Sequence, residues 1–475
     1  DLNMPFILSG NVGSATAATG FDVDNSLMFD KASSAYMTRS AAGSGATKAT
    51  FSFWVKRSKL ADTQIIHNFY SASDSYNKFY FDGNDRFIMK QQVSSTTQIQ
   101  IMPSRRFRDM SSWYHIVYIV DPTESTEANR VKVYVNGVQE SSFGTETYPA
   151  EDALVRVEYA QYVGREYTDD TKFFDGYLAE FVFLDGVAAA IGDLGVFDED
   201  SGIWKPIDVS GLTFGSRGFY LDFKDSGNLG DDESGNENDF TESGIAATDQ
   251  GIDTCTNNFA TLNPLIQGTS NNARTFSEGN TTVVLGRDSA SVSSIGVSAG
   301  KWYVEIKCIT DAANPVIFIA EEGSPATVNP YGGTNGVGVK EFGYVNDGKK
   351  KGNAGDFTSY GATWTAGNII SMAYDADNGT LWFAKNGAWQ ASATKTEIEN
   401  GTTTNAAFTG LSGLFFFGCC DAATGTGDKF SCNFGSPYFA ISSGNADGDG
   451  FGNFEYEVPS GYFALCTKNL AEYGG

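Results

Sequence analysis

The chain has 475 residues, 41% of them hydrophobic, which is enough apolar material for two or more separate cores. A formal net charge of −26 and a sequence pI near 4.4 set it against nucleic acid and anionic membranes as partners, and no run of about 18 apolar residues is present to span a bilayer. The 54 Gly and 36 Phe sit in short alternating runs broken by Gly, Asn, Asp and Ser, the pattern of an all-β chain.

The opening DLNMPFIL, Asp1 to Leu8, lacks the basic n-region of a signal peptide. Residues 1–19 carry no charge after Asp1 and little reason to fold alone. They are expected to dock onto a neighbouring subunit or a larger particle. Ala49 to Arg57 then alternates, with Phe51, Phe53 and Val55 on one side. Trp113 to Val120 (WYHIVYIV) is apolar on both faces and predicts a central strand covered on both sides. Val131 to Val135 follows and turns at Asn136-Gly137. Asp175 to Phe183 is the next strand, and Phe219, Leu221 and Phe223 mark one more that closes the sheet. Asp225 to Gln250 is rich in Gly, Asn, Asp, Glu and Ser and reads as a loop, with a linker over 246–269. The series SFWVKR, WYHIVYIVD, VKVYVNGV and FDGYLAEFVFLDG resembles a laminin-G-type, concanavalin A-like jelly roll over residues 20–245.

A second set of signals follows. Trp302, Val304, Ile306 and Cys308 fall on one side of a strand, with Tyr303, Glu305 and Lys307 on the other. Asp377-Asn378-Gly379 offers a tight hairpin turn. The next strand places Leu381 and Phe383 opposite Trp382 and ends at Asn386-Gly387. Phe430, Cys432 and Phe434 repeat the alternation. From Gly300 to Gly435 this order of segments resembles a SPRY domain, a β-sandwich that binds other molecules and is not known for catalysis. The fold expected is therefore all-β: two antiparallel β-sandwiches in tandem, the second over 270–440. Residues 441–475, with the apolar YFALC near their end, are expected to pack back on it.

The six cysteines all lie beyond residue 254 and fit no zinc spacing. Reduced thiols are the default, with a Cys255–Cys466 pair as the alternative. Catalysis has little support. A glycoside hydrolase needs two carboxylates held about 5–10 Å apart, on alternate strand positions, and no such run is present. Asp375 and Asp377 read as a solvated turn. Of the two histidines, His115 shares a face with Trp113, Val117 and Ile119 and reads as a hydrogen-bonded core residue.

One cofactor is worth weighing. Asn445, Asp447 and Asp449 place side-chain oxygens at alternate positions before Gly450, like the first half of a calcium loop. The twelfth position, which in that loop is a bidentate Glu, is Tyr456 here, so a solvated acidic loop is the other reading. For ligand contact the resemblance to SPRY domains implies loops at one edge, where Tyr331, Tyr360 and Trp389 sit among small and polar residues. Those rings serve either to stack on a ligand or to cap the core.

A jelly roll joined by TLNPL to a SPRY-like module and closed by PSGYFALCTKNL, after an NMPFILSG start, resembles proteins of tailed bacteriophages, especially marine ones. The resemblance implies a non-enzymatic virion surface protein, a tail fibre, adhesin or head decoration. Its partners would be host glycan or other virion proteins, and a trimer is the favoured assembly. A glycan hydrolase of the same fold class and a purely structural decoration protein are the alternatives.

Overall fold

The computed structural model describes residues 20–41, 43–167, 171–266, 274–286, 289–312, 314–321, 340–352, 357–421 and 427–474. They form two antiparallel β-sandwiches, one running to Thr256 and one beginning at Asn257. The expected docking segment, residues 1–19, lies outside the described residues.

In the first sandwich one sheet has the order Val138–Gln139, Val131–Val135, Tyr114–Val120, Ala49–Arg57, Gly176–Asp185, Ser26–Phe29, Gln250–Gly251, and Phe219–Leu221 also pairs with Gly176–Asp185. The facing sheet has the order Phe143–Thr147, Thr96–Pro103, Phe87–Val93, Ser75–Phe81, Gln64–Ala72, Ala160–Val163, Tyr36–Arg39, Thr241–Ser243. Alternation drives both: Phe51, Phe53 and Val55 meet Phe79, Phe81, Phe87 and Met89 between the sheets. Phe51 stacks on Phe183 at 4.9 Å. The Tyr114–Val120 strand is central, and its outer residues Val117 and Ile119 are covered by a second, smaller core with Leu194, Val209 and Phe214. The chain turns at Asn136 and Gly137, both with positive φ, as a two-residue hairpin requires.

The expected linker over 246–269 is corrected. Gln250–Gly251 pairs with Ser26–Phe29. Asp253 is buried beside Lys56, at 2.6 Å, and accepts the Trp113 indole N–H at 3.2 Å. Beyond Asn257, the Ala260 N–H donates to Leu465 O and Leu262 bridges Ser293, so this stretch belongs to the second sandwich. The Asp- and Asn-rich loop before it is tied down as well. Asp232 accepts the N–H groups of Tyr220, Ser234 and Asn238, together with the Ser234 hydroxyl. Residues that look like solvated loop formers here satisfy backbone donors instead.

The second sandwich sets the sheet Arg274–Ser277, Thr282–Leu285, Asp428–Asn433, Lys301–Thr310, Ile369–Asp375, Thr380–Lys385, Ala388–Trp389 against the sheet Ser289–Val292, Phe415–Asp421, Pro315–Glu321, Glu341–Val345, Lys349–Lys351, Phe357–Ser359. Trp302, Val304, Ile306 and Cys308 are in its core with Phe430, Cys432 and Phe434, as their alternation predicts. Two details differ from expectation. Residues 376–379 form a four-residue loop in which Gly379 has positive φ, in place of a tight turn. Asp375 is fully buried, ion-paired with Lys301 and accepting two hydrogen bonds from Asn378, so it is an internal organiser and not a solvated turn residue. All six cysteines are free thiols, Cys255 and Cys466 included.

The outer face of this sheet is covered by the closing segment. Glu305 accepts the N–H groups of Glu455 (2.9 Å) and Tyr456 (2.8 Å) and the Tyr303 hydroxyl. Phe454 packs edge-on against Tyr303. The chain ends in the helix Thr467–Tyr473, and among the described residues no helix is long and apolar enough to cross a membrane.

Candidate functional site

The second sheet of the first sandwich keeps one face toward solvent, and its register aligns a single row of polar side chains across the strands. Thr147 lies opposite Gln100, Gln100 opposite Lys90, and Lys90 opposite Lys78. The row continues through Asn68, Tyr162, Thr38 and Thr241. Strands lie about 4.8 Å apart, so the eight residues span about 34 Å perpendicular to the strands. The inward neighbours on the same strands, Phe79, Met89 and Ile101, hold the face in place through the core.

Tyrosines flank this row. Tyr70 faces Tyr76 across one strand pair, and Tyr80 lies on the other side of Lys78. Their rings are half-buried, with the body on the sheet and the edge in water. Lys78 sits over the rings of Tyr76 and Tyr80, at 4.7 and 5.2 Å. Tyr167 is exposed and stacks on Tyr70 at 4.4 Å, with Tyr162 at 5.2 Å. Arg165 lies over Tyr36 at 4.6 Å.

Two features of the row are costly for a purely structural surface. Asn68 is 1% exposed, and among the described residues neither its Nδ2 nor its Oδ1 has a hydrogen-bond partner. It lies between Lys78 and Tyr162, against which Tyr167 is packed. Lys78 and Lys90 are directly opposed like charges, an arrangement that works against sheet stability. Glu166 offsets half of it, with Lys78 at 2.8 Å and Lys172 at 2.6 Å. Burial pushes the Glu166 carboxyl up, but the hydrogen bonds from Lys172 and Lys78 outweigh it and hold the group below the usual range.

A family model described as the concanavalin A-like lectin/glucanases superfamily matches residues 30–190. That stretch lies within the first sandwich and contains most of the row. No curated protein matches the chain. Among solved structures, mouse laminin alpha1 chain domains LG4-5 are 10% identical with a TM-score of 0.30, over 89% of this chain and 90% of that one. The SAP-like pentraxin of Limulus polyphemus is 14% identical with a TM-score of 0.28, over 41% of this chain and all of that one. The SPRY domain of human HERC1 is 14% identical with a TM-score of 0.24, over 32% of this chain and 87% of that one.

The residues expected from sequence fall elsewhere. Tyr331 lies outside the described residues. Tyr360 packs edge-on against Tyr344 and Phe383, and its hydroxyl accepts the Phe383 N–H. Trp389 is half-buried on the short edge strand, opposite Ala384.

The residues weighed for calcium belong to a hydrogen-bonded loop. Both carboxylate oxygens of Asp447 are already engaged: one accepts from Asp449 N and Phe451 N, the other from Ala464 N and Asn469 Nδ2. Asn445 turns its amide N–H₂ to Ser443 and to the carbonyls of Phe454 and Glu455, and Asp449 accepts from the Tyr473 hydroxyl. Among the described residues no group of three or more His, Cys, Asp or Glu is placed to hold a metal.

His115 is buried, and its role is structural. Its Nδ1 accepts the Trp204 indole N–H at 2.8 Å, which leaves the proton on Nε2, 2.8 Å from Ser52 Oγ. Burial pushes the ring down to about 3, so it stays neutral. Trp204 reaches it through a slot at Gly137, where a Cβ would stand 2.2 Å from the indole.

The sequence carried a signal for the row that the strand patterns singled out above did not include. In Ser75–Phe81 the residues Tyr76, Lys78 and Tyr80 alternate with Asn77, Phe79 and Phe81, so a tyrosine-lysine face is written opposite a core face.

Proposed function

We propose that this chain is a non-enzymatic binding protein of a phage particle surface, and that the polar row of its first sandwich holds a host glycan laid across the strands. The observation that carries this is the juxtaposition of a row of hydrogen-bonding side chains, about 34 Å long, with tyrosine rings on both sides. Sugars present apolar ring faces and a fringe of hydroxyls, and such a surface answers both. The phage assignment is supported by the resemblance of the tandem sandwiches and their connecting segments to phage virion proteins. A single shallow site of this kind binds weakly. A trimer would gain on the order of 10²–10⁴ in avidity by presenting several copies, and other virion proteins would hold it on the particle through residues 1–19.

The hydrolase alternative asks for a carboxyl kept protonated near the sugar. Glu166, the carboxylate paired into the row, is held ionised by two lysines, which favours binding without turnover. Binding of the full chain to host envelope polysaccharide is the test. Replacing Tyr70 and Tyr76 together by Ala should weaken it at least tenfold while the unfolding curve stays in place, and no reducing ends should be released. Binding unchanged in that variant would remove the site from the first sandwich.

A further inference from the structure

Lys56 and Asp253 stand apart from the other lysine–carboxylate pairs. Lys56 Nζ lies 2.6 Å from Asp253 Oδ2, with the two side chains 1% and 2% exposed. Among the described residues the other lysine–carboxylate pairs reach water on at least one side. Both halves of the contact are held by backbone. Lys56 sits on the strand Ala49–Arg57, opposite Tyr177 of Gly176–Asp185. The main-chain carbonyl of Asp253 accepts the Ser26 hydroxyl at 2.7 Å. Aromatic rings line the pair: Tyr177 has its ring 5.6 Å from the Lys56 nitrogen, and Trp113 packs beside Tyr177. The two carboxyl oxygens of Asp253 have different partners. Oδ2 meets the lysine, and Oδ1 accepts the Trp113 indole N–H at 3.2 Å.

An amine and a carboxyl kept in contact on rigid backbone, away from water, meet the conditions for condensation. Fixing two reacting groups raises their effective concentration to roughly 10⁵–10⁸ M. Dry surroundings hold back the reverse reaction, hydrolysis. The amide is neutral, so forming it also removes two buried charges.

We propose that Lys56 and Asp253 join in an intramolecular amide, a covalent cross-link between residues 197 positions apart, and that the ion pair is the folded state from which it forms. One proton passes from Nζ to Oδ2 within their hydrogen bond, which leaves a neutral amine against a carboxylic acid. The amine lone pair attacks Cγ, and the Cγ–Oδ2 bond breaks. Oδ2 departs as water with two protons taken from the nitrogen. Oδ1 stays as the amide carbonyl oxygen, and the Trp113 N–H that already lies on it steadies the charge it gains during the attack. Nothing is oxidised or reduced. Stability measurements on the ion pair belong to chain that still has its full mass.

The test is the intact mass of the full chain followed by peptide mapping. The folded chain, as purified or after incubation at neutral pH, should be lighter by one water. Its digest should contain a branched peptide that joins Lys56 to Asp253 and that trypsin does not cut after Lys56. Chain kept in urea for the same time should gain no further cross-link. Lys56→Arg keeps a cation at the site but offers no amine, and it should retain its full mass. Trp113→Phe should form the bond about tenfold or more slowly. Full mass in the unaltered chain after long incubation overturns the proposal. So does a water loss that maps to a succinimide at an Asp-Gly step such as Asp82-Gly83 or Asp347-Gly348, or one that persists in Lys56→Arg. Cross-linking at the same rate in urea removes any part for the folded site, and an unchanged rate in Trp113→Phe overturns the role given to the indole.

Discussion

The ammonium of Lys56 and the carboxylate of Asp253 meet at 2.6 Å with side chains 1% and 2% exposed, and Trp113 donates to the same carboxylate. Removing one member strands a buried charge, so Asp253→Ala should cost the first sandwich about 3–5 kcal/mol, read from urea unfolding. Lys56→Met combined with Asp253→Leu should recover most of that loss. Full additivity of the two single losses would mean that the groups do not act as a pair. Trp204→Phe is the second expectation at this scale. It keeps the ring in the Gly137 slot but leaves His115 Nδ1 without a donor, a loss of about 1–3 kcal/mol. Neither contact was legible in the sequence. Lys56 and Asp253 are separated by 197 positions, and nothing local to either residue announces the other. His115 was legible as a buried, hydrogen-bonded ring because its strand is apolar on both faces, but the identity of its partners was not.

Strands were legible where one side chain in two is large and apolar, and what covers their other side was not. Tyr303, Glu305 and Lys307 share a face whose first two members are buried only because residues 441–465 lie over them. Glu305 carries a consequence. Burial lifts its carboxyl to about 7 against the hydrogen bonds that favour the ion, whereas in the unfolded chain it returns to the ordinary value near ~4.3. The folded state therefore holds the extra proton. The contribution is full below the unfolded value and lost as pH rises through about 7. Glu341, on the facing sheet, is lifted to about 7 as well and works in the same direction. Hydrogen exchange in Lys301–Thr310, corrected for intrinsic rates, should show protection falling between pH 5 and 8 (~). Glu305→Gln should flatten that slope. Protection rising over the same interval would reverse the sign and refute the assignment. The segment above it should also be indifferent to metal: with the Asp447 oxygens saturated by four donors, melting should be unchanged by calcium or a chelator. A calcium-dependent rise in the melting temperature confined to this sandwich would restore the metal loop.

At the scale of the molecule, all-β tandem sandwiches were legible from turn residues and alternation, while the place where one ends and the next begins was not. Composition marked 225–251 as open loop, yet Asp232, Asn236 and Asn238 fasten it to the Phe214–Tyr220 region. Limited proteolysis should therefore spare this stretch while cutting elsewhere; a first cut between Asp225 and Gly251 would show those bonds to be too weak to hold it. The fastening has a mechanical side. Ser26 pairs with Gly251 and Leu27 with Gln250, so the two ends of the first sandwich lie next to each other. A pull on those ends does not travel through the sheets. It meets first the clip formed by Asp253 with Lys56 and with the Ser26 hydroxyl at 2.7 Å, and then peels the bonds of one short strand pair one after another. Under shear the joint yields at its ends first, and the tyrosine face keeps its shape while the tether lengthens.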